Sequence, residues 1–137
     1  MTDAIPATAV LDASALLALV REEPGADRVR SVIDEGALIS VVNWAEVLAN
    51  LVIGSPDPDE VSAMALPGGP GTRLHLAPFD DEQARETARL VRYTRSLGLS
   101  LADRAALALA KQRQLRVLTT DRAWRSLRLP IKIEVIR

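Results

Sequence analysis

Short apolar runs alternate with amphipathic stretches along the chain. TAVLD (8–12), LISVV (38–42), LHLAP (74–78), RVLTT (116–120) and IKIEVI (131–136) are rich in branched side chains and bounded by polar or turn-forming residues, which predicts strands. Helices are predicted between them. SALLALV follows the first strand directly; a second helix covers 24–35, begun at Pro24 and stopped at Gly36. Asn43 opens a third through about Ile53, ended by Gly54. Asp80 or Asp81 caps a long helix to Leu97, ended by Gly98, and Ser100 opens another through Gln112. DRAWRSL (121–127) is a short helix. The segment 55-SPDPDEVSAMALPGGPGT-72 is mixed, with a short helix near 58–66 and a loop at PGGPG.

Strands alternating with helices, without tight hairpin signals, imply a mostly parallel sheet of about five strands covered on both faces. The expectation is an α/β chain forming one α/β/α domain over residues 1–137, with no internal repeat or boundary.

In such a sheet, ligands gather at the carboxyl edge, where the following helices begin. Four acids are expected there. Asp12 ends the first strand, Glu46 lies in the first turn of the helix after the second, Asp103 in the first turn of the helix opened by Ser100, and Asp121 follows the fourth strand. Each has a structural explanation. Asn43 with Glu46 and Ser100 with Asp103 have capping-box spacing, and Asp12 and Asp121 could be N-caps themselves. Taken together, however, several anions around one crevice disfavour one another, so either some are protonated or a cation sits among them. A hard divalent ion takes oxygen ligands of this kind. Asp103 also shares a helical face with Ala106, Leu107 and Ala110, a stripe that should point inward; Glu46 shares one with Asn50 and Ile53.

Composition removes other chemistries. There is no cysteine and one histidine, His75, placed between Leu74 and Leu76 at a strand position read as exposed or at an edge. Thiolate sites and a Ser–His–acid triad are therefore set aside. PGGPGT lacks the Lys-Ser/Thr ending of a phosphate loop and follows no strand. Trp44 and Trp124 are read as core or interface residues. No apolar run is long enough to cross a bilayer, and MTDAIPATAV lacks a signal-peptide layout, so a cytoplasmic location is expected.

The net charge of −1 conceals an asymmetry: residues 1–84 carry 4 Lys+Arg against 14 Asp+Glu, and residues 85–137 carry 13 against 4. Arginine predominates, 15 to 2 lysines, and its planar fork suits phosphate. Arg85, Arg89 and Arg92 lie on one strip of the long helix and are candidates for phosphate contacts, though a solvated helix face is the preferred reading. Arg104 and Arg122 stand beside two of the acids, which places them near the pocket rim and makes them the better candidates.

LDAS, NWAEVLANL, GLSLADRAALALA and VLTTDRAW, in this order, resemble the PIN-domain ribonucleases and more narrowly the VapC toxins of type II toxin–antitoxin pairs. The resemblance covers nearly the whole chain, with LSLADRA and LTTDRAW its most specific blocks. It implies a Rossmann-like sheet and an acidic site for Mg²⁺ or Mn²⁺ formed by Asp12, Glu46, Asp103 and Asp121, with supporting hydroxyls at Ser14 and Thr119. It further implies cleavage of RNA, such as transfer RNA or a ribosomal RNA loop, leaving a 5′-phosphate and a 3′-hydroxyl, in a homodimer silenced by a VapB-type antitoxin. The segment 54–73 departs from the family pattern. A metal-dependent phosphatase or phosphotransferase, or a non-catalytic interaction domain, are the competing readings. The first strand ends D-A-S and so lacks the second aspartate of the phosphotransferase type.

Overall fold

A computed structural model of the chain describes residues 6–53, 57–65 and 73–137. β1 (Ala9–Leu11) leads into α1 (Ala13–Val20) and α2 (Ala26–Glu35); β2 (Ala37–Ser40) leads into α3 (Val41–Leu51) and α4 (Pro58–Ala65). β3 (Leu74–Ala77) is followed by α5 (Asp81–Arg89), α6 (Val91–Thr94), a 3-10 turn and α7 (Leu101–Arg113). β4 (Arg116–Thr119), a 3-10 helix (Arg122–Ser126) and β5 (Ile133–Val135) complete the order. The described strands form one five-stranded sheet, β3-β2-β1-β4-β5, with every pairing parallel.

Alternation along the strands divides the core into two layers. Ala9, Leu11, Ala37, Ile39 and Leu118 face α1, α2 and α3; Val10, Leu38, Ala77 and Val117 face the other way, onto α7, Leu90 and Trp124. The central strands β1, β2 and β4 are thus buried on both sides, which is why their runs read as continuously apolar. The α/β/α architecture expected from the sequence is present. His75 lies on the edge strand β3, and both tryptophans are buried. Among the described residues, no helix is long and apolar enough to cross a membrane.

Several boundaries differ from expectation. Val41 and Val42, read as strand, begin α3, because the Ser40 hydroxyl accepts the Val42 N–H and turns the chain there. Ser40 is therefore the N-cap, and the expected Asn43–Glu46 capping box is not formed. α2 begins at Ala26 rather than Pro24, with Gly25 at the N-cap in a left-handed conformation. The long helix breaks at Leu90, where the Thr94 hydroxyl back-bonds to the Leu90 carbonyl at 2.9 Å and competes with the helical ladder. The last strand is shorter than IKIEVI, and DRAWRSL is a 3-10 helix. α4 falls where a short helix was expected; Gly54 and the PGGPG loop lie outside the described residues.

Gly36 joins α2 to β2 at φ +110°, and a Cβ there would stand 2.4 Å from the Pro6 carbonyl oxygen. Gly36→Ala is expected to destabilise the fold by about 1–3 kcal/mol through that clash and the left-handed backbone. A shift in the urea-unfolding midpoint measures it.

Candidate active site

Parallel strands place the starts of α1 and α3 and the segment after β4 at the same edge of the sheet. α7, packed against both α3 and α5, brings its own first turn to that edge. There a cleft of about 240 Å³ is lined by Asp12, Ala13, Ser14, Leu17, Glu46, Asn50, Asp103 and Asp121. All four acids singled out in the sequence line this one cleft, although they are spread over 109 positions from Asp12 to Asp121.

Asp12 lies deepest, 4% exposed. Its Oδ1 accepts from the Ser14 hydroxyl at 2.7 Å and the Ala15 N–H at 2.8 Å, and its Oδ2 accepts from the Thr119 hydroxyl at 2.6 Å. Ser14 and Thr119 are themselves held. The Thr120 N–H donates to the Ser14 hydroxyl and the Asp121 N–H to the Thr119 hydroxyl. Burial pushes the Asp12 carboxyl up to about 6, against the lowering effect of these donors, and the nearby Asp103 adds to the rise. Glu46 is raised as well, by burial and then by Asp103. Asp103 therefore acts electrostatically on both neighbours.

Three of the four acids lining the cleft are also helix caps. Asp12 caps α1. Asp103 forms the expected box with Ser100, its Oδ2 accepting the Ser100 N–H at 2.9 Å. Asp121 caps the 3-10 helix through Oδ1, on the Ala123 N–H. These bonds turn the carboxylates toward their own backbones. Among the described residues, no three acidic or histidine side chains form a group that could hold a metal ion as they stand. The donor chemistry nevertheless suits a hard divalent cation: the cleft's polar side chains offer oxygen, and capping engages one oxygen each of Asp103 and Asp121, leaving the other without a hydrogen bond among the described residues.

The arginines fare differently. Arg104, one residue after Asp103, points about 100° around α7, lines an apolar groove with Phe79, Thr87 and Leu101, and donates to the Leu99 carbonyl at 2.6 Å. It does not line the acidic cleft. Arg122 is exposed and donates to the Arg137 carbonyl at 3.2 Å, also outside the cleft lining. Ile53, grouped with Glu46 in the sequence, is 87% exposed, so only Asn50 of that stripe reaches the cleft.

Sequence reasoning missed Asn43. Read as a cap, it is instead 1% exposed inside α3. Its Oδ1 accepts the Ala13 N–H at 3.3 Å and its Nδ2 donates to the Ala102 carbonyl at 3.2 Å. Ala13 follows Asp12 and Ala102 precedes Asp103, so one amide ties together the backbones that carry two of the acids. Its position one turn before the cleft-facing Glu46 and two before Asn50 was the available signal.

The PIN-domain family model matches residues 9–129. The chain belongs to the PIN-domain family. No curated protein matches it. Among solved structures, this PIN domain is similar to VapBC2 of Rickettsia felis bound to a DNA fragment from its promoter (TM-score 0.68, 15% identity, 93% of this chain and 97% of that one). It is similar to VapC20 of Mycobacterium tuberculosis, a sarcin–ricin loop cleaving toxin (TM-score 0.68, 12% identity, 88% and 97%). It is also similar to VapBC-5 of M. tuberculosis, a member of the VapBC family of toxin–antitoxin systems (TM-score 0.55, 26% identity, 96% and 99%). The family resemblance carried by LSLADRA and LTTDRAW agrees with these neighbours.

Two consequences are measurable. Asn43→Ala leaves the buried Ala13 N–H unpaired and is expected to destabilise the fold by about 1–3 kcal/mol in chemical denaturation. The Asp12 carboxyl titrates higher in the folded chain than in the unfolded one, from 3.8 to about 6. Its stabilising contribution is therefore full below pH 3.8 and is lost as pH rises through about 6, a difference of roughly 3 kcal/mol by linkage. Asp12→Asn should accordingly raise the unfolding midpoint at pH 7.5 by up to that amount and leave it little changed near pH 3.5.

Proposed function

We propose that this PIN domain is the toxin of a toxin–antitoxin pair, an endoribonuclease that hydrolyses RNA phosphodiesters at the acidic cleft. The observation that supports it is the gathering of Asp12, Glu46, Asp103 and Asp121 from four separate elements onto one cleft, with two of the carboxyls pushed above their usual range by burial and by Asp103. Perturbed acids in a cleft are the expected signature of a working site. The VapBC structures to which the fold is similar support a VapB-type antitoxin as partner; in this reading the chain itself is a homodimer and acts in the cytoplasm. The sarcin–ricin loop cleaved by VapC20 makes structured RNA, ribosomal or transfer, the substrate class to try first.

In this reading Asp12, Asp103 and Asp121, with Glu46, would hold Mg²⁺ or Mn²⁺, and the ion would supply neutralisation of charge at the scissile phosphate and a more acidic water. The chain's own residues do the rest. Ser14 and Thr119 fix both oxygens of Asp12, so the carboxylate needs no reorganisation when substrate arrives. Asp103 and Asp121 each keep one uncapped oxygen on the same cleft. Glu46, the most exposed of the raised acids, is placed to accept a proton from the attacking water.

The phosphotransferase alternative is disfavoured because, among the described residues, no lysine or arginine lines the acidic cleft to neutralise a phosphoryl group. A non-catalytic module accounts for Asp12 as the cap of α1 but not for the gathering of four acids on one cleft.

Purified protein with Mg²⁺ or Mn²⁺ is expected to cut structured RNA and to leave phosphomonoesters intact. Asp12→Asn or Asp103→Asn should reduce cleavage roughly 100-fold or more with the fold retained. Full activity in excess EDTA, or full activity of both variants, rules the reading out.

A further inference from the structure

At the far ends of α5 and α7 from the acids, a second cleft of about 530 Å³ is lined by Ala88, Arg89, Val91, Arg92, Tyr93, Arg95 and Lys111. Its charge is strongly one-sided. Glu86, below it and mostly buried, receives Lys111 at 2.5 Å and Arg89 at 2.8 Å, and these partners hold its carboxyl below the usual range. Arg92 and Arg95 are exposed and have no hydrogen bond or ion pair among the described residues. Arg85, on the same strip in sequence, is different: it pairs with Asp81 at 2.8 Å and lies outside the cleft lining. The break at Leu90 separates Arg92 and Arg95 from the strip and sets them beside Lys111 of α7. Tyr93, 57% exposed, stands among the four cations.

We propose that this cleft is a second contact for the RNA substrate: Arg92 and Arg95, flanked by Arg89 and Lys111, take the phosphate backbone, and Tyr93 stacks an unpaired base. The proposal rests on the RNA-cleaving reading above. Free guanidinium forks match phosphate oxygens, and an exposed aromatic ring among cations matches a base better than it matches an acidic peptide. Lys111 lies two helical turns beyond Asp103 on α7, about 12 Å along the axis, which a nucleic-acid strand spans in a few nucleotides. One RNA can reach both clefts.

The test uses the full chain carrying Asp12→Asn, so that RNA is bound without being cut, with fluorescein-labelled single-stranded RNA followed by anisotropy across a salt series. Replacing Arg92 and Arg95 together by alanine is expected to weaken binding about tenfold at about 0.15 M salt and to flatten the log–log salt slope by about 1.4, since each single-strand phosphate contact contributes ~0.7. Tyr93→Ala should weaken RNA binding and spare heparin, which has no bases; Arg85→Ala should change neither. Unchanged affinity and slope in the double variant, with a native circular dichroism spectrum, overturns the proposal. So does equal loss of heparin and RNA binding in Tyr93→Ala. Failure of the nuclease reading shows separately, as no cleavage by the wild-type chain, while cleavage that is indifferent to Arg92 and Arg95 sinks this cleft alone.

Discussion

The carboxylate of Asp12 sits at the end of the central strand, nearly out of reach of water, and must be supplied with donors by its surroundings. Those donors come from two places. Ser14 and the Ala15 N–H are local, part of the α1 N-terminus that follows β1 directly. Thr119 is brought by β4, whose pairing with β1 sets Leu11 opposite Leu118 and lets the Asp12 N–H bond the Leu118 carbonyl at 3.1 Å. A slip of one residue in that register would turn the Thr119 hydroxyl to the opposite face of the sheet. Asp12 would then be a buried charge short of a donor, so the sheet's register and the site's electrostatics are one constraint.

The same logic extends outward. Asn43 pins Ala13 to Ala102, which fixes how far α7 can stand from α1, and thereby how close Asp103 comes to Asp12. Asp103 in turn raises both Asp12 and Glu46. Repulsion among these groups is tolerated because the apolar packing of α7 beneath them, through Ala106, Leu107 and Ala110, holds the helix in place. The energy of the core is what allows like charges to be kept together.

Most of this was legible in the sequence because each part has a local cause. Doubly buried strands leave apolar runs, parallel topology sends α1, α3 and the segment after β4 to one edge, and an acid on the Ala106–Leu107–Ala110 stripe must face inward. The misreadings have local causes too. Val41 and Val42 favour strand by propensity, yet a single Ser40 hydroxyl starts a helix there, and Asn43 moves from cap to core as a result. The break at Leu90 depends on where the Thr94 side chain turns, which periodicity does not record. Arg104 was assigned by nearness in sequence to Asp103, and adjacent residues on a helix point about 100° apart. Whether an acid serves as a cap or as a ligand was the hardest distinction, since the two uses share residues and even side chains. Asp103 and Asp121 each use one oxygen as a cap and leave the other without a hydrogen bond among the described residues.

That division leaves an electrostatic problem which the rest of the chain answers. A cleft lined by four carboxylates repels a polyanion, by about 1 kcal/mol for each unit-charge pair 4 Å apart even in water. On the proposed nuclease reading, a divalent cation would offset part of this at the reacting phosphate but not along the neighbouring nucleotides, so affinity for RNA would have to arise away from the acids. Residues 85–137 carry 13 Lys+Arg against 4 Asp+Glu. Within that half, Arg92 and Arg95 have no partner among the described residues, while Arg85 and Arg89 are paired. On that reading, cations at one end of α7 and acids at the other would separate holding the strand from cutting it, and a substrate long enough to touch both ends would be the one the domain binds best.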